Sequence, residues 1–336
     1  MYSKHQLPSR FMAFALCLVA WGAIEAAWAE AKQERNGASA TLESTGDRLR
    51  EQHLQHQGRE RRYLVYLPAG YAPQKSYPVV LNFHGGMGHA EHQMTVSGMN
   101  RVADRYGFLV VYPDGTAKAR RLFKRLSNLL TFNAGTCCGY AEKEQVDDVG
   151  FVRLLLDDLS RLYPIDTSLI YATGFSNGGM LAYRLALELN DRLAAIAVVS
   201  ADLGVDGPAP QRPIPVLHFH GLKDENVRWQ GGKGDNQFQS HPHRSIPETL
   251  AMWKRWNHCQ DQPAATTRGQ DYVKEEFAPA SGQPGAPVVV YQFPEGGHQW
   301  PGGTDPAKGR LNLGTRIDSV DASTLMWEFF SQHRLP

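Results

Sequence analysis

The chain has 336 residues, 42% hydrophobic and 21% charged, with 32 glycines and 20 prolines. That balance supports a sizeable core and excludes disordered and fibrous classes. Lys and Arg number 35 against 34 Asp and Glu, a net charge of +1, so nothing points to nucleic acid or to a strongly acidic partner.

Residues 1–29 read as a signal peptide. Lys4 and Arg10 supply a positive start, Phe11 to Ala23 form an apolar run too short to span a bilayer comfortably, and Ala27-Trp28-Ala29 has the small-x-small pattern of a cleavage site. Cleavage before Glu30 leaves a neutral mature chain, periplasmic or secreted, with no stable membrane span. An uncleaved anchor is the alternative. Phe14-Ala15-Leu16-Cys17 is a poor lipoprotein box, because Leu16 sits where a small residue is needed. Residues 30–57 are polar and aperiodic and read as a mobile leader. A catalytic domain is expected over 58–336.

From Arg61 onward, short apolar runs alternate with helical patterns. Val79 to Phe83, Phe108 to Tyr112, Leu169 to Thr173, Ala194 to Ser200, Val216 to His220 and Val288 to Phe293 have the β-branched and aromatic content of strands covered on both faces. Helical stripes run through Val96, Met99, Val102 and Tyr106, and through Val149, Val152, Leu156, Leu159 and Leu162. Ser245-Ile246-Pro247-Glu248 is a capping box opening a helix to His258, and Ser319 to Gln332 forms a closing helix. This alternation predicts one α/β domain with a mostly parallel sheet.

The decisive segment is Gly174-Phe175-Ser176-Asn177-Gly178. A G-x-S-x-G after a strand and before a helix is a nucleophile elbow, with the Ser176 hydroxyl held at the helix start. In such an arrangement the acid and the base follow at later strand ends. Asp224, in the loop after Val216 to His220, is the candidate acid, with Glu225 its local rival; His298, after Pro294-Glu295-Gly296-Gly297, is the candidate base. The backbone N–H groups of Asn177 and of Gly86, within His84-Gly85-Gly86-Met87-Gly88, are the expected oxyanion donors. These residues imply acyl transfer from an ester substrate through an acyl-enzyme, with no metal and no organic cofactor.

Export makes the cysteines candidates for a disulfide. Cys17 leaves with the signal, and one of the adjacent pair Cys137 and Cys138 is expected to bridge to Cys259, with one thiol over. Closing a loop of about 120 residues is worth roughly 3–5 kcal/mol on a chain-entropy argument. His89-Ala90-Glu91-His92 and His241-Pro242-His243 have ligand-like spacing but no convincing third ligand, and His218 and His220 read as packed or hydrogen-bonded side chains on one strand face.

The ordered set His84-Gly85-Gly86, Tyr112-Pro113-Asp114-Gly115, Phe132 to Gly139, Val146 to Phe151, Gly174 to Met180, Ser245 to Thr249 and Gly296 to Gly303 resembles the exported polyhydroxybutyrate-depolymerase-type esterases. These are similar to the feruloyl and acetyl-xylan esterases of carbohydrate esterase family one. The resemblance, from Arg61 to the C-terminus, implies an α/β-hydrolase fold, the same triad, and Asn133, the Cys137-Cys138 turn and Trp300 near the site. Trp300 and Phe132 would suit an aromatic acyl group, with ordinary packing as the plain alternative. The expected activity is hydrolysis of feruloyl or acetyl esters of polysaccharide. Alternatives are polyhydroxybutyrate or hydroxyalkanoate oligomers, an acyltransferase, a peptidase, or a non-catalytic binding relative. One departure from the family is Ala117 to Leu130, with Lys118, Arg120, Arg121, Lys124 and Arg125 and no acidic residue. It reads as a basic amphipathic helix, either solvated on the surface or a lid attracting anionic surfaces.

Overall fold

The six apolar runs become the parallel strands of one ten-stranded sheet. A computed structural model describes residues 48–118, 129–234, 241–304 and 313–336. Residues 1–47, which hold the expected signal peptide and the first part of the expected leader, and residues 119–128 of the basic segment lie outside them. The fold is carried by one unit, Arg50–Pro336.

The strands are β1 (Leu49–His56), β2 (Arg59–Tyr66), β3 (Tyr77–Phe83), β4 (Leu109–Pro113), β5 (Ile165–Phe175), β6 (Ala195–Val199), β7 (Val216–Gly221), β8 (Ala265–Arg268), β9 (Val273–Phe277) and β10 (Val288–Phe293). Their order is β1-β2-β4-β3-β5-β6-β7-β10-β9-β8. From β4 to β10 the neighbours are parallel; β2 joins β4 antiparallel, and β9 and β8 extend the other edge antiparallel. Burial follows the sequence pattern: every residue of β4, β6 and β7 is buried, as continuous apolar strands in a covered parallel sheet must be.

The flanking helices are α1 (Ala90–Ser97), α2 (Met99–Tyr106), α3 (Gly139–Lys143), α4 (Asp148–Leu162), α5 (Asn177–Glu188), α6 (Ile246–Trp256) and α7 (Ala322–Phe330). The Asp147 side chain caps α4 by accepting from Gly150 N–H, and Ser245 caps α6 by accepting from Glu248 N–H. On α7, Trp327 stacks on Phe108 at 4.1 Å between ring centroids and Phe330 stacks on Tyr171 at 4.7 Å. No helix among the described residues is long and apolar enough to cross a membrane.

Two expectations change. The stripe from Val96 to Tyr106 is two helices, because Gly98 adopts a left-handed φ of 59° that ends α1 and starts α2. Leu49–His56, expected within the leader, is the edge strand β1. It meets β2 through a two-residue turn in which Gln57 and Gly58 both have positive φ, 48° and 71°, the geometry that suits a tight hairpin.

Parallel strands point their C-terminal ends the same way. The ends of β3, β5, β6, β7 and β10 therefore bring the His84 loop, Ser176, Ser200, the Asp224 loop and the His298 loop to one edge of the sheet, where open α/β sheets hold their ligands.

Candidate active site

Ser176 leaves β5 with φ 53° and ψ −121°, a strained conformation for a residue with a side chain. Its N–H donates to Val199 O at 2.9 Å, on the neighbouring strand, and its carbonyl accepts from Met180 N–H at 2.9 Å as α5 begins. The turn has no room for side chains beside it. A Cβ on Gly174 would overlap the Gly178 carbonyl, and one on Gly178 would overlap Phe83 O at the end of β3.

Asn177 opens α5 and is fully buried. Its side chain holds the 132–138 loop, with Oδ1 accepting from Phe132 N–H at 2.7 Å and Nδ2 donating to Phe132 O at 2.9 Å and Cys137 O at 3.2 Å. The Cβ position of Gly86 lies 3.8 Å from Asn177 Cβ and 3.6 Å from Cys138 Sγ, so the two candidate oxyanion donors are neighbours. His84 shapes the loop that carries Gly86: its Nδ1–H donates to Gly85 O at 2.7 Å and its Nε2 accepts from Gly115 N–H at 3.0 Å. Burial pushes this imidazole down to about 4, which keeps it neutral, as that pair of bonds requires. Neither the His84 bridge nor the Asn177 staple is foreseen by a motif reading that uses only backbone donors. The signal for both was present in the motifs themselves, as a histidine and an amide adjoining the functional glycines.

Asp224 and His298 meet. His298 Nδ1 donates to Asp224 Oδ2 at 2.7 Å, while Asp224 Oδ1 accepts from the N–H groups of Asn226 at 2.9 Å and Val227 at 2.8 Å. Burial pushes the Asp224 carboxyl up, but the charge and hydrogen bond of His298, with help from His220 and Val227, outweigh it and hold it below the usual range. Glu225 is exposed. The His298 ring lies 4.8 Å from the ring of Phe175, the residue before Ser176. Ser176 Oγ makes no hydrogen bond among the described residues; serine–imidazole contacts are commonly long until substrate binds.

The remaining candidates are placed as follows. The bridge to Cys259 is corrected: Cys137 and Cys138 are bonded to each other, and Cys259 is a free thiol directed at Ala286 O, 3.2 Å, and Phe277 O, 3.5 Å. Sequence separation favours a long loop on entropy, but adjacent thiols within one turn need no approach of distant segments. Asn133 is buried as a structural tie, its N–H on Asp148 Oδ2 at 2.7 Å and its Nδ2 on Val146 O at 3.0 Å. Trp300 is buried, with Nε1 donating to Ser323 Oγ at 3.1 Å, and Phe132 packs edge-on against Phe83. Both rings are packed, the plain alternative of the two readings. His243 pairs with Asp202 at 2.8 Å, His241 lies 3.6 Å from Glu142, and His89 bonds Glu91 at 2.9 Å. Three of the four spaced histidines thus answer carboxylates, and the His92 ring lies 6.0 Å from that of His89.

Under the 132–138 loop, Arg61 and Asp148 form a buried ion pair at 2.6 Å, with the guanidinium 3.8 Å over the Phe151 ring. This pair explains why Val146 to Phe151 belongs with the site motifs: Asp148 carries Asn133 N–H, and the loop beyond it carries Cys137 to Asn177.

Residues 61–208 match the family described as Esterase PHB depolymerase. The esterase-named protein NocK of Nocardia uniformis subsp. tsuyamanensis is 32% identical over 271 residues, covering 74% of this chain and 73% of NocK. The chain belongs to this esterase family. Feruloyl esterase B of Piromyces equi is 28% identical over 283 residues, 82% of this chain but 46% of that longer protein. Among solved structures, the acetyl xylan esterase from Aspergillus awamori aligns over 74% of this chain and 94% of its own, with a TM-score of 0.54 at 14% identity. That likeness places the family member in the α/β-hydrolase fold.

Proposed function

We propose that this family member is an exported serine carboxylesterase. His298 takes the Ser176 proton as the hydroxyl attacks an ester carbonyl, Asp224 holds the imidazole in the donating tautomer, and the N–H groups of Gly86 and Asn177 receive the oxyanion. The alcohol leaves with the proton from His298, and water repeats the cycle on the acyl-enzyme. The observation that carries this reading is the 2.7 Å His298–Asp224 bond at the same sheet edge as the positive-φ Ser176.

Feruloyl or acetyl esters of polysaccharide are the proposed substrates. Support comes from the relatives named as a feruloyl esterase and as a bifunctional acetylxylan esterase/xylanase from Neocallimastix patriciarum, and not from Trp300 or Phe132, which are packed. The family description favours a second reading, polyhydroxybutyrate oligomers. Export rests on the signal-like residues 1–29.

The test is hydrolysis of methyl ferulate, acetylated xylan, p-nitrophenyl acetate and butyrate, and a 3-hydroxybutyrate oligomer by the wild type and by Ser176→Ala. Preference for ferulate or acetylated xylan, lost in the variant, supports the first reading. Preference for the oligomer moves the chain to the second, and undiminished activity of Ser176→Ala overturns both.

A further inference from the structure

A buried hydrogen-bonded chain crosses from the helix that begins at Ser176 to the loop that carries Asp224. Tyr183 on α5 and His218 and His220 on β7 are at most 1% exposed. Tyr183 OH lies 2.8 Å from His218 Nδ1, His218 Nε2 lies 3.2 Å from His220 Nδ1, and His220 Nε2 lies 2.8 Å from Val227 O. Val227 in turn gives its N–H to Asp224 Oδ1 at 2.8 Å.

The direction of every proton follows from the far end. Val227 O can only accept, so His220 Nε2 donates. Burial holds both imidazoles below their ordinary range and therefore neutral, and a neutral ring that donates at Nε2 accepts at Nδ1. His218 must then donate from Nε2 and accept the Tyr183 proton at Nδ1. The O–H and both N–H dipoles point the same way, toward the acid loop, an arrangement in which each bond polarises the next. The last donor, His220 Nε2, also stands 3.8 Å from Asp224 Oδ2, the oxygen bound to His298.

We propose that Tyr183, His218 and His220 are positioning residues. They form an uncharged relay that clamps the Asp224 loop to β7 and aims the positive end of its dipoles at the carboxylate, moderating how strongly Asp224 stabilises protonated His298. This deepens the triad reading and rests on it. The other charged groups facing His220 are Asp224, His298 and Asp202. Asp202 is itself held by His243 at 2.8 Å and by Arg244 N–H at 3.0 Å, and the Trp229 ring closes the remaining side, edge-on at 5.7 Å.

The sign of the effect is fixed by the chain. Removing the relay leaves the Asp224 charge less compensated, so protonated His298 is favoured and the acid limb of kcat/KM moves to higher pH. The variants are Tyr183→Phe/His218→Leu/His220→Leu, which replaces the whole relay by apolar groups, and His220→Gln, whose amide can accept from His218 and donate to Val227 O. With p-nitrophenyl butyrate, the apolar triple variant should show the acid limb raised by roughly half a pH unit and kcat lowered about tenfold, with KM within about twofold. His220→Gln should stay within about twofold of wild type in kcat.

A folded triple variant with an unmoved or lowered acid limb overturns the relay, even if kcat falls, and so does a His220→Gln as impaired as the triple. Should the triple fail to fold, imidazole ¹⁵N spectra of the wild type decide. Both His218 and His220 must carry hydrogen on Nε2 with a bare Nδ1, and the opposite tautomer at either ring overturns the proposal. Asp224→Ala, assayed alongside, keeps the two readings apart: wild-type activity there removes the triad, whereas its loss leaves the relay to be judged by its own variants.

Discussion

Arg61→Met is expected to loosen the site from beneath. The substitution roughly keeps the side chain's length but strips Asp148 of its counter-ion, leaving a fully buried carboxylate with one neutral donor, Asn133 N–H at 2.7 Å. It also removes the guanidinium bond to Asp114 O, 3.2 Å. Breaking one side of a buried pair costs about 3–5 kcal/mol. Burial already pushes the Asp148 carboxyl above its ordinary value despite Arg61, and losing Arg61 must push it further. A carboxyl raised in the folded state destabilises fully above its folded pKa and is relieved as pH falls toward the unfolded value. The deficit should therefore be largest near pH 8 and shrink by pH 5. Adding Asp148→Asn removes the charge while its amide oxygen still accepts from Asn133 N–H, and should recover about 2 kcal/mol. Urea unfolding of the wild type, the single variant and the double variant at pH 5, 6.5 and 8 measures all three quantities. A single variant within about 1 kcal/mol of wild type at pH 8, or a double variant no better than the single, would refute the reasoning.

Three further outcomes follow from the same geometry. His84, pushed from 6.5 to about 4, contributes stability that is full above about pH 6.5 and is lost as pH falls toward 4, on the order of 3 kcal/mol; His84→Gln, which cannot take up that proton, should unfold in urea with a shallower pH dependence over this window, and an equal slope in both proteins would sink the assignment. Gly178→Ala places a methyl group into the Phe83 carbonyl and should destabilise by more than about 3 kcal/mol or prevent folding, whereas Gly86→Ala meets its nearest neighbours at 3.6 and 3.8 Å and should fold with a near-wild-type Tm. Trp300→Phe loses the Ser323 bond and should cost about 1 kcal/mol of stability while leaving KM for methyl ferulate unchanged; a several-fold rise in KM would return Trp300 to the substrate.

The central strands were legible because their burial is written as uninterrupted apolar runs such as Ala195–Val199, and α6 because Ser245 and Glu248 announce its start. The antiparallel edges were not. In β1 only Leu49, Gln52, Leu54 and His56 are partly buried, two of them polar, and all four residues of β8 are exposed, so neither carries an apolar period; the hairpin at Gln57-Gly58 was the local cue to the first. Gly98 interrupts a stripe whose apolar spacing runs straight through it, since spacing records which face is buried and not where the backbone reverses. At the site, glycine spacing around Ser176 located a turn whose constraint is steric and local. The Cys137–Cys138 bond was hidden because residue counting weighs loops and not local contacts. For Trp300 and Phe132 both a stacking face and ordinary packing stood open, because aromatic composition alone does not separate the two, and both rings are packed.

The buried polar groups around Ser176 divide into two kinds, and the division bears on catalysis. The buried carboxylates there each have a cationic or imidazole partner: Asp148 has Arg61, Asp202 has His243 and Asp224 has His298. The groups that shape the candidate oxyanion hole and back the acid are neutral dipoles: His84 on Gly85, Asn177 on Phe132 and Cys137, and Tyr183, His218 and His220 on Val227. Under the proposed mechanism a neutral ester would gain little from such a site, whereas the negative oxygen formed during attack would gain the full effect of donors already oriented in a region of low dielectric. A lysine or arginine in the same place would bind carboxylate products as well as it bound the reacting centre. Under the proposed mechanism, packing neutral donors behind Gly86 and Asn177 would avoid that product inhibition and cost no reorganisation when charge develops. By this argument, inserting a cation through Gly86→Lys should tighten binding of free ferulate or acetate while lowering kcat, and a variant that raised kcat would contradict it.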